Sequence, residues 1–431
     1  MNQILFPKPP PAEHLPLIEW LDLTDRAEVG REAFFRGRNA EYEIFRKTVK
    51  SLSYGHIGGG STIFQGAPGA GKTALMLECM EAIRQHSSPD DPWVAYNIKP
   101  ENLESAAEVV MLLVDAANEE SERLSKISSG SGAKKLERIM GIGRKMYHDL
   151  SERGVGIAGI SIGAKPNSEQ EAKVYSQRVF QDAASFLKSF RIVVFVDEAQ
   201  NTPVEKSTLG VVDCLHNPPG EIPLVTAFFG LSDTEAILSK CSLSRPPDER
   251  VANLELLTYE ESSEVIRSVF EAYKFSGSKE DIEIWVSHLA KLSQGWPQHI
   301  SRVSVVASRV ISNNGGQIKR ELLERVLDEG QKRKESYYAM ILRRCSGQPW
   351  IYKKLALVAR EKNDILGLDE IFCIAEHART KRGKPVEDFL TEALHAGVLI
   401  ETREPPNFYR IPIPSLGDYL RSLPGDPPAG I

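Results

Sequence analysis

The residues Gly66-Ala67-Pro68-Gly69-Ala70-Gly71-Lys72-Thr73 fit the pattern G-x-x-x-x-G-K-[ST] at every fixed position. The residue types say what such a stretch can do. Gly66, Gly69 and Gly71 let the backbone turn with positive φ and bring successive N–H groups toward a polyphosphate. Lys72 can reach the β- and γ-phosphates as a point charge, and Thr73 can offer a hydroxyl to Mg²⁺. Ala74 lies in the first turn of the helix that follows, whose positive dipole end adds to the attraction. Residues 66–74 therefore predict binding of a nucleoside triphosphate.

A second stretch supplies carboxylates. Arg191-Ile192-Val193-Val194-Phe195-Val196-Asp197-Glu198 is an apolar run ending in two acids. Five consecutive apolar residues make a strand buried on both faces, as in a parallel sheet. Ligands of open α/β sheets bind at the carboxyl ends of such strands. Asp197 would then hold Mg²⁺ directly or through water, and Glu198 would orient and deprotonate the water that attacks the γ-phosphate. Leu224–Gly230 is a further buried strand. Ser232, just beyond it, can sense the γ-phosphate, although Ser232-Asp233-Thr234 equally suits a helix N-cap. Arg245 and Arg250 flank the proline-broken loop Pro246-Pro247. Arg245 is the choice for an arginine that reaches a neighbour's γ-phosphate, and a solvated loop charge is the bland alternative.

The elements that must position these groups read as alternating strands and helices. Ser61–Gln65 is a short buried strand before the glycine loop. The helix over 73–83 keeps Leu75, Cys79 and Ile83 on one stripe. A helix carrying Tyr42, Phe45 and Val49 precedes them, its aromatics serving the core or flanking a base. Pro92–Ile98 is another strand, followed by an apolar helix over 106–117. The interval 119–168 reads as an insertion. It holds a Ser/Gly break at 128–132 and a basic helix with Lys134, Lys135, Arg138, Arg144 and Lys145. Its Gly-rich stretch 154–163 contains G-x-G-x-x-G, but a helix precedes it and a strand-like run follows. That is the reverse of a dinucleotide fingerprint, and a β-hairpin is expected instead. Residues 171–190 form a helix.

The totals bound these readings. A chain of 431 residues can hold two to four domains. The formal charge of −6 gives no global sign of nucleic-acid binding. Five cysteines without C-x-x-C spacing argue against structural zinc or a disulfide framework. No apolar run approaches the ~18 residues of a membrane span. The proline-rich start, Met1–Pro11, lacks the plan of a signal peptide, so a cytoplasmic location is expected.

The phosphate loop, the Val196-Asp197-Glu198-Ala199-Gln200 strand end and the approach Phe35-Arg36-Gly37-Arg38 together resemble AAA+ ATPases and the related STAND signalling NTPases. Within them the chain is most similar to the branch of origin-recognition initiators and ATP-binding transposition regulators, over roughly residues 31–330. The resemblance implies ATP as the nucleotide, Mg²⁺ as its metal, assembly of copies through the ATP site, and a helical lid. Thr258 with Glu261 forms a capping box for the first lid helix, and helices over 281–292 and 300–311 follow. The lid's sensor turn reads Gly295-Trp296-Pro297-Gln298, with Gln298 where the family has arginine. Arg302, one turn on, is a substitute candidate.

Residues 331–384 carry 13 Lys and Arg against 6 Asp and Glu, a local +7 in a chain of −6. Helices starting near 351, 368 and 385, then strands at 398–400 and 409–411, outline a winged helix-turn-helix with Pro385 at N1 of its third helix. The basic turn 379–384 can bind a DNA backbone. Glu387, Asp388 and Glu392 oppose that, and a protein dock or a purely structural role stays open.

The expected architecture is an α/β P-loop NTPase parallel sheet with a helical lid and a C-terminal winged helix. Its parts would be an arm over 1–30, an ATPase core over 31–257, a lid over 258–330 and a winged-helix domain with tail over 331–431. The leading functional reading is an ATP-hydrolysing switch acting on DNA or a DNA-bound partner. The alternatives are a STAND-type signalling ATPase held closed by its C-terminal domain, and a weakly hydrolysing ATP-binding scaffold.

Overall fold

The computed structural model describes residues 36–53, 59–128, 131–152, 168–243, 248–345, 349–362, 364–378, 386–402 and 407–425. Among these the chain divides into two compact units, one of residues 39–65 and 75–253, the other of 36–38, 66–74 and 254–425.

The first unit is built on a five-stranded sheet. Helix α1 (Asn39–Ser53) leads into β1 (Ser61–Gln65), which runs into helix α2 (Lys72–His86). Strand β2 (Trp93–Ile98), helices α3 (Ala106–Ile127), α4 (Ser131–Glu152) and α5 (Glu169–Leu187), and strand β3 (Arg191–Val196) follow. Helix α6 (Lys206–His216), β4 (Leu224–Gly230), α7 (Thr234–Lys240) and β5 (Val251–Asn253) complete it. The order is β2-β3-β4-β1-β5 and every pair is parallel. Central strands of a parallel sheet lose both faces to packing, which is why β1 and β4 are buried at every position. Phe64 stacks on Phe229 at 4.8 Å between ring centroids, and Phe45 of α1 lies 5.7 Å from Phe195. Phe45, Val49 and Leu52 are fully buried, so the aromatic stripe of α1 belongs to the core.

On another part of that sheet Val109, Val110, Leu113, Phe180, Phe186 and Phe190 belong to a large apolar cluster. Helix α3 runs ten residues past the expected end at 117, because Ser121 and Leu124 continue its buried stripe. The Ser121 hydroxyl is satisfied by the Ala117 carbonyl at 2.8 Å. Helix α4 packs along α3 with Leu136 and Ile139 inward, while Lys134, Lys135, Arg138, Arg144 and Lys145 are exposed. Gly143 is what allows the approach: a Cβ there would sit 2.1 Å from Asn118 Oδ1 of α3 and 2.6 Å from the Phe186 ring of α5. The stretch 154–163, expected as a hairpin, lies outside the described residues.

In the second unit, helices α8 (Tyr259–Ala272), α9 (Lys279–Ser293) and α10 (Pro297–Asn313) close around Trp285, Ile266, Phe270, Val303 and Val306. The capping box of α8 is complete: Glu261 N–H donates to Thr258 Oγ1 at 3.1 Å, and Thr258 N–H to Glu261 Oε2 at 2.8 Å. Helix α11 (Leu323–Arg343) runs straight through position 330. Helix α12 (Pro349–Glu361), β6 (Ile365–Gly367), α13 (Leu368–Ala378), α14 (Val386–Ala396), β7 (Ile400–Glu401) and β8 (Phe408–Arg410) follow. The strands form an antiparallel sheet in the order β6-β8-β7. Strand β6 adds a third strand to the two expected. Helix α15 (Pro414–Arg421) buries Leu416 and Leu420.

Candidate functional site

The phosphate loop belongs to the second unit, and its shape follows from who holds its carbonyls. Gly69 and Gly71 have φ of 87° and 91°, the left-handed region that only glycine enters freely. Gly66 is not at positive φ. A Cβ there would lie tightly against Leu254 O at 3.2 Å and Ala70 Cβ at 3.3 Å. Lys72 is buried, and its Nζ donates to Gly66 O at 2.9 Å and Ala67 O at 3.2 Å. Tyr337 of α11 donates its hydroxyl to Pro68 O at 3.0 Å, and the Gln298 backbone N–H donates to Gly69 O at 3.2 Å. Arg38, buried and itself at φ 63°, donates from Nη2 to Ala70 O at 2.9 Å. Five successive loop carbonyls are thus satisfied. In a trans peptide the next N–H points away from the carbonyl, so pinning the Pro68 and Ala70 carbonyls aims the Gly69 and Gly71 N–H groups the other way. Thr73 and Ala74, in the first turn of α2, are half-buried.

The lid turn presses on this loop. A Cβ on Gly69 would lie 2.9 Å from Gln298 Cβ, 3.0 Å from Trp296 Nε1 and 3.0 Å from the Tyr337 hydroxyl. Gln298 meets the loop through both its backbone N–H and its Cβ. Arg302 stacks its guanidinium 5.1 Å from the Tyr337 ring centroid. Beneath that ring His299 is fully buried, with ring centroids 5.8 Å from Tyr337 and 5.3 Å from Tyr338. Burial first, then Lys334, hold the imidazole down to about 3, so it is neutral. Burial also pushes the Tyr337 hydroxyl up, keeping it a donor.

The acids belong to the first unit. The Asp197 Oδ1 accepts from the Glu198 N–H at 3.0 Å. Glu198 is exposed and takes the left-handed conformation, φ 53° and ψ 36°, which costs of order 1 kcal/mol in a non-glycine residue. Its carboxylate accepts from the side-chain amide of buried Gln200. In the sheet, Gln65, the last residue before the loop, is level with Gly230, and Val196 is level with Phe228. The strand that ends at Gln65 and the strand that ends before Asp197 thus finish at one edge of the sheet, with β4 between them.

Ser232 follows β4. Its hydroxyl is buried and has no hydrogen-bond partner among the described residues, and the N-cap of α7 is Asp233 rather than Ser232. Arg245 and the basic turn 379–384 lie outside the described residues. Arg250 packs over Gly60, where a Cβ would clash with its guanidinium, at the start of β1 and away from the strand ends that matter.

Three residues in these arrangements were given no role by the sequence. Arg38 lay in the quoted Arg36-Gly37-Arg38 stretch, and its burial gave no signal. Gln200 stood in the acid motif, two residues beyond Glu198. Nothing near Tyr337 marked it.

No family model matches the chain, and no curated protein does. Among solved structures it is similar to the Holliday-junction branch-migration motor RuvB of Thermotoga maritima, at 14% identity and TM-score 0.41, covering 90% of this chain and 95% of that one. It is similar to a Walker-type ATPase of Pyrococcus abyssi, at 12% identity and TM-score 0.48, covering 90% and 96%. It is similar also to the Orc1 protein of Aeropyrum pernix solved in complex with DNA, at 13% identity and TM-score 0.42, covering 93% and 95%. Likeness at this level adds nothing to the motifs and strand order already described. On those, the chain has an α/β P-loop fold, with the acid strand and the loop strand separated by one strand.

Proposed function

We propose that this protein is a magnesium-dependent ATP-hydrolysing switch that assembles through its ATP site and acts on DNA or a DNA-bound partner. The observation that carries the reading is the parallel order β3-β4-β1, which brings the acid strand and the loop strand to the same edge. Residues Gly66 to Ala74 would cradle the triphosphate through backbone N–H groups, and Lys72 would turn from its loop carbonyls to the β- and γ-phosphates. Thr73 and Asp197 offer hard oxygen ligands that suit Mg²⁺. The ion, when bound, would neutralise charge on the phosphate oxygens. Glu198 would accept the proton of the attacking water, and the orphaned Ser232 hydroxyl would donate to the γ-phosphate. Arg245 of a neighbouring copy would complete the charge at the transition state. The local +7 over 331–384 supports a nucleic-acid contact through the helices and strands of a winged helix.

Glu198→Gln tests the chemistry. ATP should still bind, while hydrolysis should fall by at least ~10²-fold, the lower range for a general base. Unchanged turnover would remove the assignment. Neutralising Lys381 and Arg382 should weaken salt-dependent DNA binding. No DNA affinity at low salt, with ATP-driven assembly that requires a protein ligand, would favour the second reading. That reading is a STAND-type ATPase held closed by its C-terminal part. It draws on the phosphate loop's own neighbours: Tyr337 binds Pro68 O, and a Cβ on Gly397 would sit 2.5 Å from Pro68 Cδ.

A further inference from the structure

We infer that Gln200 is a positioning residue for the base, fixing the Glu198 carboxylate to the end of strand β4; this rests on the reading of Glu198 as base. Gln200 is 7% exposed and its side chain has two partners. Its Oε1 accepts from the Leu231 backbone N–H at 3.0 Å, and its Nε2 donates to Glu198 Oε2. The first bond decides the second. A backbone N–H can only donate, so the amide must present its oxygen to Leu231 and its NH₂ to the carboxylate. One carboxylate oxygen is thereby anchored, and the exposed side chain leaves Oε1 to take a proton from water.

Gly230 shows how closely this bridge is built. A Cβ there would come within 2.7 Å of Gln200 Oε1, 3.1 Å of Gln200 N and 2.1 Å of Thr234 Oγ1. The bridge joins the base to Leu231, the residue before Ser232, whose hydroxyl is the γ-phosphate donor of the proposed site. A displacement of the β4 end when Ser232 meets a phosphate would be handed to Glu198 through one rigid amide. The device links recognition of the triphosphate to placement of the base.

The test separates this role from mere support of Leu231. Gln200→Glu keeps an acceptor for the Leu231 N–H but removes the donor to Glu198 and sets a like charge beside it. Gln200→Met removes both bonds. ATP hydrolysis under saturating Mg-ATP, binding of a non-hydrolysable ATP analogue, and thermal melting are measured for both, for Glu198→Gln and for the Glu198→Gln/Gln200→Met double variant. Both Gln200 variants should lose at least about tenfold in kcat, with KM and analogue affinity within about twofold. The double variant should be no slower than Glu198→Gln alone, because Gln200 acts through Glu198. Wild-type kcat in Gln200→Glu, or losses that multiply in the double variant, would overturn the proposal. If Glu198→Gln itself turns over normally, the base assignment falls, and the inference falls with it for a reason the same data identify.

Discussion

The neutral histidine under the phosphate loop makes a quantitative prediction about acid. His299 Nδ1 faces Ser293 O at 3.3 Å, while Nε2 is buried with no hydrogen-bond partner among the described residues. A proton on Nε2 would create an unpaired buried cation close to Lys334, whose Nζ donates to Leu292 O, and to Arg302. The folded imidazole is held near 3 against an ordinary 6.5. The unfolded chain therefore takes the proton first as pH falls. Stability from this group is present above 6.5 and is lost progressively toward 3. At pH 5 the loss relative to pH 7 is about 2 kcal/mol at ~1.4 kcal/mol per pH unit. That is a sizeable part of the 5–15 kcal/mol of a typical domain. The His299 ring resonance should not titrate between pH 8 and 4, and urea unfolding at pH 5 should show the deficit. In His299→Gln the extra loss between pH 7 and 5 should shrink by about 2 kcal/mol. A ring that titrates near 6.5, or a variant with the wild-type acid loss, would refute the reasoning.

Other perturbations bear on the same loop. Tyr337→Phe deletes the donor to Pro68 O and should lower stability by about 1 kcal/mol, read as a drop in melting temperature; an unchanged melt would count against it. Arg38→Met removes the donor to Ala70 O and should weaken ATP-analogue binding about tenfold while kcat at saturation holds; equal affinity would contradict the proposed loop support. Gly397→Ala, at φ 75° and 2.5 Å from Pro68 Cδ, should destabilise by ~1 kcal/mol or more, seen by urea unfolding. Thr258→Ala breaks the capping box and should cost about 1 kcal/mol, with faster amide exchange in the first turn of α8.

The parts of this molecule that sequence made visible are those where one residue type has one job. The loop glycines, Lys72, the buried run 192–196 and the Thr258–Glu261 cap each carry a local rule, and each element formed where that rule puts it. What stayed hidden depends on contacts across long separations. Tyr337 and Pro68 are 269 positions apart, and no local pattern links them. Helix α3 looked shorter than it is because its last turns are polar on the outside, and only Ser121 and Leu124 mark the inner stripe. Strand β6 is three residues long, too short for alternation to show. Gly66 was expected at positive φ and is not; a Cβ there would instead lie close against the Leu254 carbonyl.

If the loop takes a triphosphate as proposed, its own bonding limits how far Lys72 would have to move. Lys72 is already 94% out of water, its ammonium resting on two neutral carbonyls of the loop itself. Most of the desolvation that a phosphate contact would require has been met in folding. A phosphate oxygen offers a charge-assisted bond, shorter and about twice as strong as a neutral one. Exchanging the Gly66 and Ala67 carbonyls for an anion would then be favourable, provided the loop held its shape. Tyr337, Gln298 and Arg38 support that shape by holding the next three carbonyls in turn. On the proposed reading the lysine would move and the frame would stay, so the residues that set nucleotide affinity would include ones with no reason to touch a nucleotide.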